Sequence, residues 1–318
     1  MSDFQVLLYY KFVSVTNPEA AAAKQRAWCE ELGLKGRIIV ASEGINGTCS
    51  GGAEATTKYM RRMDEDQEFN GTEFKVEPAE AHAFKRLSVK VRPEIVTLGK
   101  EVDVPRFTGT HLDAAEWDRR MRVGDALILD IRNDYEYEIG HFEGAIRPPV
   151  ETFKEFPSWL EANFSDAKDR PILTYCTGGI RCEKLTANLA QEGFHDVYQL
   201  DGGIVTYAKN SAESSFKGDC FVFDERMSVP VSGVVSICER CGEQSSRYVN
   251  CSNVDCNRLY VLCAACESSG GLACKPECRT AVRQREANEK LSPELRGQGK
   301  RLRRARHRQR RKERAASG

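Results

Sequence analysis

At 318 residues, with 41% hydrophobic and 8% aromatic content, the chain has ordinary globular composition and room for two or three domains. No apolar run approaches the roughly 18 residues of a membrane helix, and Met1-Ser2-Asp3-Phe4 has no basic or apolar leader, which together predict a cytoplasmic protein. The net charge of zero hides an asymmetry: residues 296–314 hold 11 Lys or Arg against one acid, a net +10, and the other 36 basic and 46 acidic residues carry −10.

Residues 1–95 read as an α+β domain with the order β-α-β-β-α-β. Residues 4–15 are strand-like, Pro18 opens a helix through Leu32, and Gly33 ends it. Residues 37–41 form a strand, 44–48 turn the chain into another, 53–63 are helical, and the last strand lies within 87–95. This is the split βαβ of ferredoxin-like folds, which host many functions. The run Ser42-Glu43-Gly44-Ile45-Asn46-Gly47-Thr48 sets Glu43 and Asn46 among glycines. It reads either as a loop touching nucleotide or RNA, or as a plain hairpin turn with Asn46-Gly47 left-handed. Lys85, Arg86, Lys90 and Arg92 cluster near the last strand, as candidates for a phosphate backbone or as a solvated face.

Residues 96–122 are a connector and a helix ending near Gly124, with Thr110 and Asp113 spaced as a capping box. Residues 123–217 alternate strand and helix: a strand at 126–132, a helical turn at 136–138, a helix around 153–163, strands at 171–175 and 196–200. That pattern predicts a parallel α/β sheet with its site at the carboxyl ends of the strands.

Cys176-Thr177-Gly178-Gly179-Ile180-Arg181-Cys182-Glu183-Lys184 follows the strand at 171–175 and leads into a helix over 183–192. The turn aims backbone N–H groups at one point, and the helix dipole adds partial positive charge there. A Cys176 thiolate is thereby stabilised and reactive at neutral pH. Four residues separate Cys176 from Arg181, one fewer than in the phosphate loops of cysteine phosphatases. The smaller ring suits an added sulfur atom, and the stretch resembles the active-site loop of rhodanese-type sulfurtransferases. Asp130-Ile131-Arg132 and Gly140-His141 with Gly144-Ala145 resemble the other characteristic segment of rhodanese domains, where His141 is read as structural rather than as a base.

In residues 233–280, Cys238 and Cys241, Cys251 and Cys256, Cys263 and Cys266, and Cys274 and Cys278 make four chelating pairs. In a reducing compartment such pairs predict two structural zinc ions rather than disulfides. Neighbouring pairs share a metal, or alternate pairs interleave; spacing leaves both open. Cys29 and Cys49 read as small apolar core groups. Residues 281–318, a charged stretch without apolar periodicity, read as a disordered basic tail suited to polyphosphate.

Lys35-Gly36-Arg37-Ile38, Glu43 to Thr48, Lys85-Arg86-Leu87-Ser88-Val89-Lys90 and the loop Cys176 to Lys184 together resemble the rhodanese-domain tRNA uridine hydroxylases, over residues 4–280. The resemblance implies tRNA as partner and an O2-dependent conversion of the wobble uridine to 5-hydroxyuridine. It makes Cys176 the active cysteine. Thr177, Gly178, Gly179, Ile180 and Arg181 form its loop, and Arg181 orients that loop or binds an anion. Cys182 then either resolves an oxidised Cys176 or faces the core. The sequence shows no flavin fingerprint, haem signature or two-His-one-carboxylate pattern. Two other classes stay open: a sulfurtransferase working through a Cys176 persulfide, and a non-catalytic RNA-binding or scaffold protein.

Overall fold

Alternation shapes the first strand, Phe4–Phe12 (β1): Leu7 and Tyr9 are buried on one face, and Leu8 and Tyr10 point to the other. The computed structural model describes residues 3–150, 152–165, 167–211 and 214–291. Pro18 at the first position and Asn17, whose side chain accepts from the Ala20 N–H at 2.9 Å, start helix α1 (Pro18–Glu31). Strands β2 (Lys35–Ala41) and β3 (Gly44–Gly52) form a hairpin, followed by α2 (Ala53–Asp64), β4 (Phe74–Ala79) and β5 (Leu87–Val91). The sheet order is β4-β1-β3-β2-β5, antiparallel except for β2 with β5. Both helices cover one face, around Leu7, Ile38, Cys49, Tyr59 and Met63, and Cys29 and Cys49 are fully buried there.

The strand that closes the split βαβ is β4, which corrects the expectation above. The strand expected within 87–95 is a fifth, added in parallel beside β2. Phe74–Ala79 reads weakly as a strand because Pro78 interrupts it; a proline is tolerated there because β4 is at the sheet edge.

The second sheet is parallel, in the order β6-β10-β9-β7. Its elements, in chain order, are α3 (Val104–Phe107), β6 (Thr110–Leu112), α4 (Ala114–Val123), β7 (Leu127–Asp130), α5 (Asp134–Ile139), β8 (Gly140–Phe142), α6 (Phe156–Phe164), β9 (Ile172–Tyr175), α7 (Ile180–Gln191), β10 (Val197–Leu200) and α8 (Gly203–Asn210). Thr110 lies in β6 rather than in a capping box. Asp113 caps α4 alone, accepting from the Glu116 N–H at 2.8 Å. The reciprocal box sits at α5 instead, between Asn133 and Glu136. β11 (Phe216–Phe221) and β12 (Ser228–Ser232) join β8 in a small antiparallel sheet, which carries this fold past residue 217.

The chain divides into two compact units between Ser236 and Ile237. The smaller has the hairpin β13 (Tyr248–Asn250) with β14 (Leu259–Val261), then α9 (Ala264–Gly270) and α10 (Pro276–Leu291). α10 runs past residue 280, where the sequence predicts order to end. Its Ala, Arg, Gln and Glu residues favour helix without an apolar stripe. The basic run from Arg296 to Arg314 lies outside the described residues. None of the described helices is long and apolar enough to cross a membrane.

Candidate active site

Cys176 leaves the carboxyl end of β9, and three turn residues bring the chain to the start of α7. Gly179, at φ +101°, permits a bend that a side chain would resist. The loop's carbonyls face outward: the Ile204 and Val205 N–H groups at the start of α8 donate to Cys176 O at 3.0 Å and Thr177 O at 3.1 Å. Its amides therefore turn inward, and the Gly179 N–H donates to Cys176 Sγ at 3.1 Å.

The thiol is fully buried, and burial alone would raise its pKa. The Cys182 thiol, the Arg181 charge and the Cys182 and Arg181 amides outweigh that and lower it to about 5. Cys182 is pushed the opposite way, chiefly by burial and by the anion beside it. It is fully buried in the core with Leu185 and Leu189, a free thiol that faces the core and lies within hydrogen-bonding reach of Cys176.

Arg181 is buried, and its two terminal nitrogens each donate to Glu136 at 2.8 Å. Burial raises the pKa of Glu136, but Arg181 outweighs it and keeps the carboxyl below its usual range. Thr177 closes the group, donating to Glu136 at 3.1 Å. Glu136 lies 45 residues from Arg181 in sequence, with no local signal linking the two. Below this pair, Arg132 forks onto Asp130 at 2.8 and 2.6 Å and donates to Gly140 O at 2.6 Å, which joins the two rhodanese-like segments. His141 stacks on Tyr137, its Nδ1 3.0 Å from the Tyr137 carbonyl.

The N-terminal sheet closes the site. Its open face and the cysteine loop line one cavity of about 810 Å³. Leu8, Tyr10, Arg37, Ile39, Asn46 and Thr48 come from the sheet, and Cys176, Thr177, Gly178, Ile180 and Arg181 from the loop and helix. Phe84, Tyr135, Phe153 and Phe223 add aromatic walls, and Lys154 adds a second exposed cation to Arg37. Of these sheet and wall residues the sequence points to Asn46 and Thr48, in the run read as a candidate RNA-contacting loop, and to Arg37 within a family-like segment. Leu8, Tyr10, Ile39 and the aromatic walls carry no signal for the site. Lys85, Arg86, Lys90 and Arg92 are exposed and lie outside the lining; Lys85 pairs with Glu225 at 3.2 Å.

Glu183 and Lys184 fasten the two folds together. Lys184 is buried, and its Nζ lies 2.7 Å from Glu43 Oε2, 2.7 Å from Glu94 and 3.2 Å from Val96 O. Glu183 accepts from Tyr10 at 3.2 Å, from Gln199 at 3.1 Å and from Thr108, and pairs with His111 at 2.9 Å. The run from Ser42 to Thr48 corrects the expected turn at 44–48: only Ser42 and Glu43 form the turn, residues 44–48 already belong to β3, and Asn46 and Gly47 are not left-handed. Glu43 is thus engaged by α7, and Asn46 lines the cavity from a strand.

In the smaller unit the cysteines form two groups of four: Cys238, Cys241, Cys263 and Cys266, then Cys251, Cys256, Cys274 and Cys278. Alternate pairs interleave, which spacing had left open. The sulfurs of each group lie within 4.8 Å of one another, so each can hold a metal ion.

A low-pKa cysteine in a strand–loop–helix cradle, on a parallel sheet, defines a rhodanese-type site, here capped by an acylphosphatase-like sheet. Family models agree: residues 4–95 match the UPF0176 acylphosphatase like domain, 113–210 the rhodanese-like domain, and 217–279 the rhodanase C-terminal region. The tRNA uridine(34) hydroxylase of Bacillus cereus (strain AH187) is 47% identical over 290 residues, covering 89% of this chain and 91% of its own. Those of Bacillus thuringiensis (strain Al Hakam) and Bacillus anthracis (strain CDC 684 / NRRL 3495) are 47% and 46% identical over the same shares. The chain belongs to the tRNA uridine(34) hydroxylase family.

Proposed function

We propose that this protein hydroxylates C5 of uridine 34 in tRNA, with Cys176 as its reactive group. The observation that carries this reading is the shared cavity. A thiolate of pKa about 5 opens into a space of about 810 Å³ walled by aromatic rings and edged by Arg37 and Lys154. That volume falls in the roughly 300–1,000 Å³ range of small-ligand sites. Single-stranded anticodon bases splay out and stack on aromatic side chains, while cations hold the flanking phosphates. The family's name points to the same substrate and favours this reading over sulfur transfer or a purely scaffolding role.

Arg181 is engaged on both terminal nitrogens by Glu136, so its part is to hold the loop and lower the Cys176 pKa rather than to grip a substrate anion. Lys85, Arg86, Lys90 and Arg92, exposed at the end of the same sheet, serve the tRNA backbone outside the cavity. Inserting one oxygen atom of O2 at C5 sends the other to water, with two electrons and two protons from a reductant. The protein works in the cytoplasm, where charged and uncharged tRNA are found.

The two cysteine groups suit zinc. Four sulfurs at about 2.3 Å from a tetrahedral ion lie about 3.8 Å apart. Here Cys241 and Cys263 are 3.7 Å apart, Cys256 and Cys274 3.7 Å, and Cys274 and Cys278 3.8 Å. A bound zinc would supply folding free energy to a unit with little apolar core, not catalysis.

The test is to incubate purified protein with unmodified tRNA under ¹⁸O2 and analyse the nucleosides by mass spectrometry. Labelled 5-hydroxyuridine at position 34 is expected with the wild type and none with Cys176→Ser. An unlabelled product would place the oxygen source elsewhere, and full activity of Cys176→Ser would remove Cys176 from the chemistry.

A further inference from the structure

Asn46 occupies a controlled position in the cavity. In the β-sheet register it lies between Ile39 and Tyr10, and Thr48 lies between Arg37 and Leu8. The Asn46 amide is not free to flip. Its Nδ2 donates to the Ile95 carbonyl at 3.0 Å, and a carbonyl only accepts, so the NH2 end is fixed there. Oδ1 is left as an acceptor on the cavity side, and among the described residues nothing donates to it or pairs with the Thr48 hydroxyl. The anchor is itself held: the Ile95 N–H donates to Glu43 at 2.7 Å, and Glu43 is gripped by Lys184 of α7. The acceptor is therefore tied to the helix that begins at the cysteine loop.

We propose that Asn46 is the residue that reads uracil, its Oδ1 accepting the N3–H of the base while the Thr48 hydroxyl serves a neighbouring carbonyl oxygen. The inference rests on the tRNA uridine reading above and adds its specificity. Uracil presents a donor at N3. Cytosine presents a lone pair there, which would face Oδ1 as acceptor against acceptor and leave both groups unpaired. Reading the imide edge also leaves the C5–C6 edge turned away from the sheet, on the side open to Cys176.

The experiment uses the full chain with anticodon stem-loop RNAs carrying uridine, N3-methyluridine or cytidine at position 34, and measures kcat/KM by mass spectrometry. The wild type should hydroxylate the uridine RNA and lose about 10- to 100-fold on the N3-methyl RNA, the cost of removing one buried hydrogen-bond donor. Asn46→Ala should fall by a similar factor on uridine and no longer distinguish it from N3-methyluridine. Thr48→Val should show a smaller loss on uridine. Equal wild-type rates on the uridine and N3-methyl RNAs would overturn the inference, and so would an Asn46→Ala protein with wild-type kcat/KM and wild-type discrimination. Circular dichroism checks that Asn46→Ala is folded; if it is not, the wild-type comparison and Thr48→Val decide. A wild type inactive on the uridine RNA would overturn the functional reading itself, a different and recognisable failure.

Discussion

The chemistry at the residue scale is a contest over one sulfur. Burial opposes the Cys176 thiolate, and the Cys182 thiol, the Arg181 guanidinium and the helix amides favour it strongly enough to bring the pKa to about 5. Alkylation of Cys176 by iodoacetamide should therefore stay fast at neutral pH and fall as pH drops through about 5, because the thiolate is the nucleophile. Cys182→Ala removes the largest of the lowering contributions, so it should move that midpoint upward. A midpoint near the ordinary value of ~8.5 in the wild type, or one that Cys182→Ala leaves in place, would contradict the account. Cys176, its loop and its position at a strand end were all legible from local sequence, because strand, turn and helix follow one another there. Glu136 was not legible. A residue 45 positions away becomes Arg181's partner only when α5 and α7 meet in space.

Among the elements, α7 does two things at once: its first turn cradles the thiolate and its next residues bolt the N-terminal sheet over it. Lys184 is about 1% exposed, with Glu43 and Glu94 both on its ammonium group. Lys184→Met should leave two carboxylates facing each other without a cation. Urea denaturation should show a loss of roughly 2–4 kcal/mol, somewhat eased by the partial exposure of both acids. A change within ~0.5 kcal/mol would mean that the bolt is not a stabilising contact. The sequence showed those elements in which a pattern is strong: the apolar and aromatic run of β1, the proline-started α1 and the apolar β7 and β9. It missed β4, where Pro78 breaks the strand pattern and edge position excuses it. It also left the run around Asn46 undecided between an RNA-contacting loop and a hairpin turn, because glycines beside polar residues suit both, and it did not foresee a strand. The structure sets Asn46 in β3, paired with Tyr10 and Ile39.

For the whole molecule, three parts have separable roles. We propose that the capped cysteine site reacts, that the cysteine-rich unit, whose two groups of four sulfurs can hold metal ions, folds around them, and that the basic run at 296–314 holds RNA. Metal analysis should find two zinc ions per chain, and a chelator strong enough to strip them should unfold the unit that begins at Ile237. Protein without bound metal that remains fully folded would contradict that assignment. Residues 296–314 carry a net +10, so truncation after Glu294 should weaken tRNA binding and flatten its salt dependence, by roughly 0.7 log units per log unit of salt for each phosphate the tail had neutralised. Superimposed salt titrations of the full and truncated proteins would make the tail a solubilising appendage. The central claim, that Cys176 hydroxylates uridine 34, is tested most directly by mass spectrometry of tRNA nucleosides from cells lacking this gene, complemented with the wild type or with Cys176→Ser. The account predicts that 5-hydroxyuridine is lost in the deletion, restored by the wild type and not restored by Cys176→Ser. Unchanged 5-hydroxyuridine in the deletion, or full restoration by Cys176→Ser, would contradict it.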